Sequence, residues 1–224
     1  MQFSDFPFNK SILKAVAEER YHTPTLVQEK AIPLVLEKKN VIVSAQTGTG
    51  KTAAFALPII QLLFDKPVEE NEVRKIKSLV VTPTRELAIQ ILENFKSYSK
   101  YTNLKTTAVF GGVSLEPQKE ELANGIDILI ATPGRLIDLQ MQGNIDLGAI
   151  EIFVLDEADL MLDMGFINDV TKIEKLCPKK KQTLLFSATI PEKIDELAKT
   201  IVKNSVKVEI NPEETTAKNI GQLL

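Results

Sequence analysis

The sequence predicts an α/β fold, a doubly wound and mostly parallel sheet with helices on both faces. Two observations predict it. Along the 224 residues, short runs of apolar and β-branched residues alternate with longer stretches of helical spacing. The runs themselves (VIVS, LVVT, ILIA, IFVL, LLFS) are almost continuously apolar, which suits strands covered on both faces rather than strands with one wet side. Parallel strands need crossover connections, and right-handed crossovers lay helices on both faces of the sheet.

Taken in chain order, two helical segments come first, Lys10–Glu19 and Thr25–Leu36, parted by the break Tyr21-His22-Thr23-Pro24. The strand Val41–Ser44 then feeds a helix over Lys51–Leu63, and the charged stretch Lys66–Lys77 reads as a solvated loop. Next come strand Ser78–Thr82 with helix Arg85–Tyr101, strand Thr106–Phe110 with helix Leu115–Ala123, and strand Ile126–Ala131 with helix Arg135–Met141. The series closes with strand Ile150–Asp156, helix Phe166–Leu176, strand Thr183–Ser187, helix Glu192–Val202 and strand Val206–Ile210. From Pro212 onward the apolar periodicity is lost. Residues 1–36 therefore read as a helical lead-in, 37–211 as the sheet domain and 212–224 as the start of a linker.

Composition narrows the functional classes. Hydrophobic residues make up 44% and charged residues 25%, which excludes disordered, collagen-like and disulfide-scaffold chains. Cys177 is the single cysteine and has no internal bridge to make; beside Pro178 it reads as an incidental thiol. His22, the single histidine, lacks partners for a zinc site. Met1–Phe8 has no secretory character and no stretch approaches a membrane span, so a cytoplasmic protein without a membrane partner is expected. A net charge of -3 excludes bulk attraction to nucleic acid, so any such contact must be local. Lys179-Lys180-Lys181 reads as a solvated turn rather than a nucleic-acid patch.

The strongest local pattern is Ala45-Gln46-Thr47-Gly48-Thr49-Gly50-Lys51-Thr52, which follows the first strand and opens a helix. Glycines there let backbone N–H groups turn onto phosphate oxygens, and the helix N-terminus adds the positive end of its dipole. Lys51 can reach the β- and γ-phosphates, and the Thr52 hydroxyl can ligate magnesium. Ala45 stands where the nucleoside-triphosphate loop has its first glycine. A second pattern ends an apolar strand in two acids, Asp156-Glu157, at the sheet edge where such folds bind ligands. Asp156 is placed to hold magnesium, and Glu157 to orient and deprotonate an attacking water. The plain alternative is helix capping, with Asp156 as N-cap and Glu157 and Asp159 in the first turn.

Read out to Asp156-Glu157-Ala158-Asp159, the chain resembles the DEAD-box ATP-dependent RNA helicases over nearly its whole length. AQTGTGKT at 45–52 resembles the family's phosphate loop, PTRELA at 83–88, Gly111-Gly112 and TPGR at 132–135 its nucleic-acid motifs, and Ser187-Ala188-Thr189 the element that follows them. Upstream, Thr23-Pro24-Thr25-Leu26-Val27-Gln28 is similar to the Q motif, with Phe3 as the aromatic ahead of it. The fold implied is a RecA-like P-loop NTPase domain, with ATP and Mg2+ as cofactors. The resemblance gives catalytic roles to Lys51, Asp156 and Glu157, and metal binding to Thr52 and Asp156. It assigns adenine selection to Gln28, whose amide offers both donor and acceptor, with Phe3 stacking on the base and Tyr21 and Thr23 beside it. Arg20-Tyr21 stands where Gly-Phe is commoner, so the turn and the adenine pocket are expected to depart most from the family there.

The same resemblance gives RNA-backbone contacts to Pro83, Thr84, Arg85, Gly111, Gly112, Thr132, Pro133, Gly134 and Arg135. It gives coupling between ATP and RNA to Asp159, Ser187 and Thr189. Arginines and backbone amides at helix starts are good phosphate contacts, although Arg85 and Arg135 could simply flank helix N-termini. The family's arginine fingers lie in a second RecA-like domain, and none of their motifs occurs here. A monomeric amino-terminal half that binds nucleotide and hydrolyses slowly by itself is therefore expected. Two rivals stand beside the helicase reading. One is a catalytically silent scaffold, which needs neither metal- nor water-handling residues. The other is a DNA-directed helicase of the same superfamily, distinguished by 2′-hydroxyl contacts that sequence does not display.

Overall fold

A computed structural model describes residues 1–66 and 74–210 of the chain. Seven strands form one sheet: β1 (Val41–Ser44), β2 (Ser78–Val81), β3 (Thr106–Val109), β4 (Ile128–Ala131), β5 (Ile152–Leu155), β6 (Gln182–Ser187) and β7 (Val206–Glu209). Their spatial order is β3-β4-β2-β5-β6-β1-β7, and every paired neighbour is parallel. Nine α-helices accompany them among the described residues: α1 (Lys10–Glu18), α2 (Leu26–Leu36), α3 (Lys51–Phe64), α4 (Arg85–Tyr98), α5 (Glu116–Ala123), α6 (Pro133–Met141), α7 (Ala158–Asp163), α8 (Ile167–Leu176) and α9 (Glu192–Ile201). The expected α/β sheet is present, and it is wholly parallel.

The strand pattern explains why both faces are covered. Side chains alternate across a strand, and here both sets are apolar. Val80, Ile130, Val154, Leu184 and Phe186 face one core layer, shared with Ile32, Phe55 and Phe95. Leu79, Leu129, Phe153 and Leu185 face the other, shared with Leu136, Met161, Val170 and Ile173. Phe55 and Phe186 meet edge to face with ring centroids 5.1 Å apart. The lead-in is part of this packing: Phe3, Phe6, Phe8, Ile12 and Val27 are buried in the same layer as α3.

Element ends differ from expectation by one to three residues, for local reasons. Helix α4 stops at Tyr98, short of Tyr101, where the backbone tightens: the Lys100 and Thr102 N–H groups donate to the carbonyls three residues back, Ser97 and Ser99. Helix α6 starts two residues early at Pro133, a position where a missing N–H costs nothing. Strand β5 is Ile152–Leu155 rather than Ile150–Asp156, although the Asp156 N–H still donates to the Val81 carbonyl. Two short elements were not expected, the 3-10 turn Phe3–Asp5 and helix α7. Residues 67–73 of the expected solvated loop and the expected linker at 212–224 lie outside the described residues. Within the lysine run, Lys181 pairs with Glu174 at 2.7 Å while Lys179 and Lys180 are exposed. Among the described residues no helix is long and apolar enough to cross a membrane.

Candidate functional site

Sheet order decides which loops meet. The carboxyl ends of β5, β6 and β1 are consecutive, so the segments at 156–159, 187–189 and 45–52 emerge side by side. In the loop after β1, Gly48 and Gly50 have φ of 81° and 88°, a region that favours glycine. Gly50 is also a point of close approach: a Cβ there would lie 2.5 Å from Gln28 Nε2. The Ala45 N–H donates to the Ser187 carbonyl at 3.0 Å, and the Thr49 hydroxyl closes the turn onto the Gln46 carbonyl at 2.7 Å. Ala45 itself is buried in the core, so its methyl occupies packed space beneath the loop.

Lys51 and the acidic pair meet in this corner. Lys51 Nζ stands 2.8 Å from Glu157 Oε1, with both side chains buried. It is a charge contact without hydrogen-bond alignment, so the ammonium donors are unfilled, as is Asp156 Oδ1. Burial pushes the Asp156 carboxyl up to about 7, with the neighbouring Glu157 charge adding to it and Lys51 opposing. Glu157 holds φ at 55°, a left-handed backbone that is strained for a non-glycine residue. It is the N-cap of α7 but makes no side-chain cap bond, and Asp156 lies ahead of the cap. The capping alternative is therefore not how these acids are used. A strained, buried and under-bonded acid pair points instead to a ligand site.

Asp159 does the opposite. Its carboxylate accepts from both the N–H and the hydroxyl of Thr189 at 2.9 Å, and its own N–H donates to Ser187 Oγ at 3.0 Å. Burial works against the charge, but these hydrogen bonds win and hold the carboxyl below its usual range. The end of β5 is thereby tied to the end of β6.

A cavity of about 430 Å³ runs from this corner to the lead-in. Thr47, Gly48, Gly50, Lys51, Thr52, Asp156 and Glu157 line one end, and Tyr21, Thr23 and Gln28 the other. Gln28 is held fast: Oε1 accepts from the Thr25 N–H at 2.9 Å and Nε2 donates to the Gly50 carbonyl at 3.1 Å. An amide has two donors and two acceptor sites, so each end of Gln28 keeps one to spare, in a fixed order. Phe3 is placed differently from expectation and does not line the cavity. It is buried beneath Tyr21, with ring centroids 6.3 Å apart and planes 27° from parallel, so the aromatic that borders the cavity is Tyr21. Arg20 takes φ of 60°, the conformation for which glycine is the easy choice. The turn is thus kept despite the substitution, at the cost of local strain. Gln46 and Thr49 build the loop without lining the cavity.

The remaining wall was missed in the sequence. Leu87, Gln90, Ile91, Asn94 and Tyr98 lie along one face of α4, and the Tyr98 hydroxyl meets that of Tyr21 at 3.3 Å. Their spacing of three and four residues was visible, but it reads equally as a core-facing stripe.

The other half of the sheet edge, β2-β4-β3, carries the second group of candidate residues. The Thr84 hydroxyl caps α4 by accepting from the Leu87 N–H at 3.3 Å, and Thr132 precedes α6. Pro83 and Pro133 are buried, so their contribution is to backbone shape. Arg85 lies with its guanidinium 5.4 Å from the centre of the Phe110 ring, and Arg135 Nη2 donates to the Val113 carbonyl at 3.0 Å. Both arginines thus touch the segment around Gly111-Gly112. Gly112 has φ of 78°, and nothing lies within 4 Å of a Cβ built at Gly111, Gly112 or Gly134. Gly111, Gly112 and Gly134 are exposed beside the starts of α4 and α6, an arrangement of backbone N–H groups that suits an anionic ligand. Elsewhere, the Cys177 thiol is buried, donates to the Ile173 carbonyl at 3.4 Å and is pushed up to about 12 by burial.

Comparison with known proteins fits this arrangement. The family model for the DEAD/DEAH box helicase matches residues 25–197. The DEAD-box ATP-dependent RNA helicase RhpA of Helicobacter pylori is 46% identical over 220 residues, covering 98% of this chain and 43% of that protein. The ATP-dependent RNA helicase RhlB of a Shewanella species is 43% identical over 224 residues, covering 99% of this chain and 51% of its own length. Among solved structures, a DEAD box protein from the hyperthermophile Methanococcus jannaschii superposes with a TM-score of 0.88 at 40% identity, over 96% of this chain and 57% of that one. A hypothetical ATP-dependent RNA helicase from Sulfolobus tokodaii gives 0.82 at 44% identity, over 91% and 57%. The chain spans about half the length of the curated relatives it matches.

Proposed function

Because the chain belongs to the DEAD/DEAH box helicase family, we propose that residues 37–211 are the ATP-binding RecA-like domain of an RNA helicase, with 1–36 completing its adenine side. One observation carries this reading. The glycine loop and the acidic strand end converge, with Lys51 Nζ 2.8 Å from Glu157 Oε1 and Asp156 in the same cavity.

The roles follow from the chemistry of what is left unfilled. Lys51 exchanges Glu157 for β- and γ-phosphate oxygens, which frees Glu157 to orient and deprotonate a water. The N–H groups of Gln46 to Thr52 cradle the phosphates at the start of α3. Thr52 and Asp156 fit a magnesium ion, which keeps several waters and takes few protein ligands; Asp156 Oδ1 has no partner in the protein. Such an ion supplies charge neutralisation at the transferring phosphate. Gln28, fixed by Thr25 and Gly50, presents one donor and one acceptor to adenine in a set order. Tyr21 stacks on the base, with Phe3 supporting it from beneath.

On the neighbouring half of the edge, Thr84, Arg85, Gly111, Gly112, Thr132, Gly134 and Arg135 grip the RNA sugar-phosphate backbone without reading bases. Asp159, Ser187 and Thr189 tie the end of β5 to the end of β6 within the ATP half and pass the state of that half to the other through β5, whose other neighbour is β2. A second RecA-like domain, in a chain of the relatives' length, closes over both halves and supplies the arginine that neutralises charge on the phosphate. A cytoplasmic setting suits this work.

The test is ATP hydrolysis by the full-length protein, with no nucleic acid, with RNA and with DNA of matched sequence, in parent and Lys51→Ala forms. Stimulation by RNA and its loss with Lys51→Ala are expected. No stimulation by either strand favours the silent scaffold, and stronger stimulation by DNA than by RNA favours a DNA-directed enzyme.

A further inference from the structure

The α4 wall of the cavity carries polar side chains that the reading above leaves without a role. Asn94 is half-buried and Gln90 exposed, both border the cavity, and neither amide hydrogen-bonds to any described residue. Gln28, by contrast, spends one end of its amide on Thr25 and the other on Gly50.

Where these amides stand along the cavity decides what they face. From Leu87 to Tyr98 is eleven steps of helix, roughly 16 Å at the standard rise, comparable to an extended nucleoside diphosphate. The Tyr98 end is fixed at the base side by its contact with Tyr21, at 3.3 Å. The phosphate side is fixed by Lys51 and Thr52. The middle of the α4 stripe therefore runs beside the sugar that joins base to phosphates. An amide held at neither end can turn over, so it does not tell one base edge from another. It is well suited to a vicinal diol, in which each hydroxyl can donate and accept.

We infer that Asn94, assisted by Gln90, binds the ribose hydroxyls of the nucleotide and makes the site prefer ribonucleotides over 2′-deoxyribonucleotides. The inference rests on the nucleotide reading of this cavity and adds to it a specificity that the loop and the acids do not supply. Gln28 then selects the base and Asn94 the sugar, through separate side chains.

The experiment is isothermal titration calorimetry on the 224-residue chain, using unlabelled ADP, 2′-deoxy-ADP and GDP with magnesium, because ribose-labelled analogues would block the contact. The parent chain is expected to bind ADP roughly five- to tenfold tighter than 2′-deoxy-ADP, the scale of one hydrogen bond. Asn94→Leu is expected to bring ADP down to the 2′-deoxy-ADP level and to leave the ADP-to-GDP ratio unchanged. Gln28→Leu is expected to do the reverse, narrowing the ADP-to-GDP ratio and keeping the ribose preference. A partial return of that preference in Asn94→Ser, which keeps a donor and acceptor, separates contact from packing. An ADP-to-2′-deoxy-ADP ratio in Asn94→Leu equal to the parent's overturns the sugar role while leaving nucleotide binding intact. Failure of the parent to bind any of the three removes the nucleotide reading itself, and this inference with it.

Discussion

The two halves of the sheet edge are built on opposite principles. At β5-β6-β1 the functional groups are buried and crowded: a lysine against a glutamate, an aspartate held near neutrality, and a glycine pressed on an amide. At β2-β4-β3, Arg85 and the three glycines are exposed, with open space around the glycines, and the two arginines rest on their own neighbouring loop. In the proposed reading, the first half holds unfavourable electrostatics that a magnesium-bound triphosphate would relieve. The second, in the same reading, presents open backbone and two arginines that would suit any stretch of a nucleic-acid backbone. Selectivity for a small ligand needs the first kind of site, and indifference to sequence needs the second.

The sharpest way to break this comparison is to add one methyl group to a glycine in each half. Gly50→Ala places a Cβ 2.5 Å from Gln28 Nε2 at a φ of 88°, so both the loop and the amide lock must shift. Loss of about 2 kcal/mol of stability, within the range of forced backbone strain, is expected together with at least a tenfold loss of ADP affinity. Gly134→Ala meets nothing within 4 Å at an ordinary φ and lies in the first turn of α6. Its stability is expected to stay within about 0.5 kcal/mol of the parent. Thermal unfolding and ADP titration of the two variants check this; equal cost at both positions would erase the contrast between crowded and open halves.

A smaller effect comes from pH. The Asp156 carboxyl is raised to about 7, chiefly by burial, so the native fold holds a proton there that the unfolded chain has already lost. By linkage, the burial of Asp156 costs increasing stability as pH rises from the ordinary carboxylate range to about 7, and no more above it. In the proposed site magnesium would compete with that proton. The gain in ADP affinity on adding magnesium is expected to grow by up to about tenfold between pH 6 and pH 8. In Asp156→Asn the increment should be smaller, and its growth with pH should shrink to what the terminal phosphate of ADP itself contributes. A magnesium increment in the parent that does not change with pH would show that Asp156 is not the group being displaced.

Much of this was legible in the sequence. Continuous apolar runs such as ILIA and IFVL gave away a sheet covered on both faces, and GKT after a strand gave away the phosphate loop. Arg20 was expected to make the turn depart from the family there, yet the residue adopts the glycine-like φ itself and the turn is kept, which residue type alone did not reveal. What stayed hidden depends on proximity between distant segments. That Gln28 is locked by the Gly50 carbonyl, or that Tyr21 rather than Phe3 borders the cavity, follows from how α1, α2 and α3 pack, which spacing does not encode. The stripe on α4 was hidden differently. A helix face that lines a cavity and one that fills a core have the same period, and only the presence of Gln90 and Asn94 on it hinted at the former.

The least disruptive probe lies in the open half. Arg135 donates from Nη2 to the Val113 carbonyl while its Nη1 is buried without a partner, so this one side chain both braces the glycine segment and keeps a donor in reserve. In Arg135→Ala the segment from Gly111 to Val113 loses its tether and the surface loses one positive charge. RNA affinity of the full-length protein in the presence of an ATP analogue is expected to fall about three- to tenfold, with a shallower dependence on salt by close to one counterion. ADP binding is expected to stay at the parent value, because Arg135 lies on the other half of the edge. Arg135→Lys separates the two roles: it keeps the charge but lacks the planar, multi-donor fork. If bracing matters, lysine restores the salt slope but not the affinity. If only charge matters, it restores both, and the loop contact seen here has no part in gripping RNA.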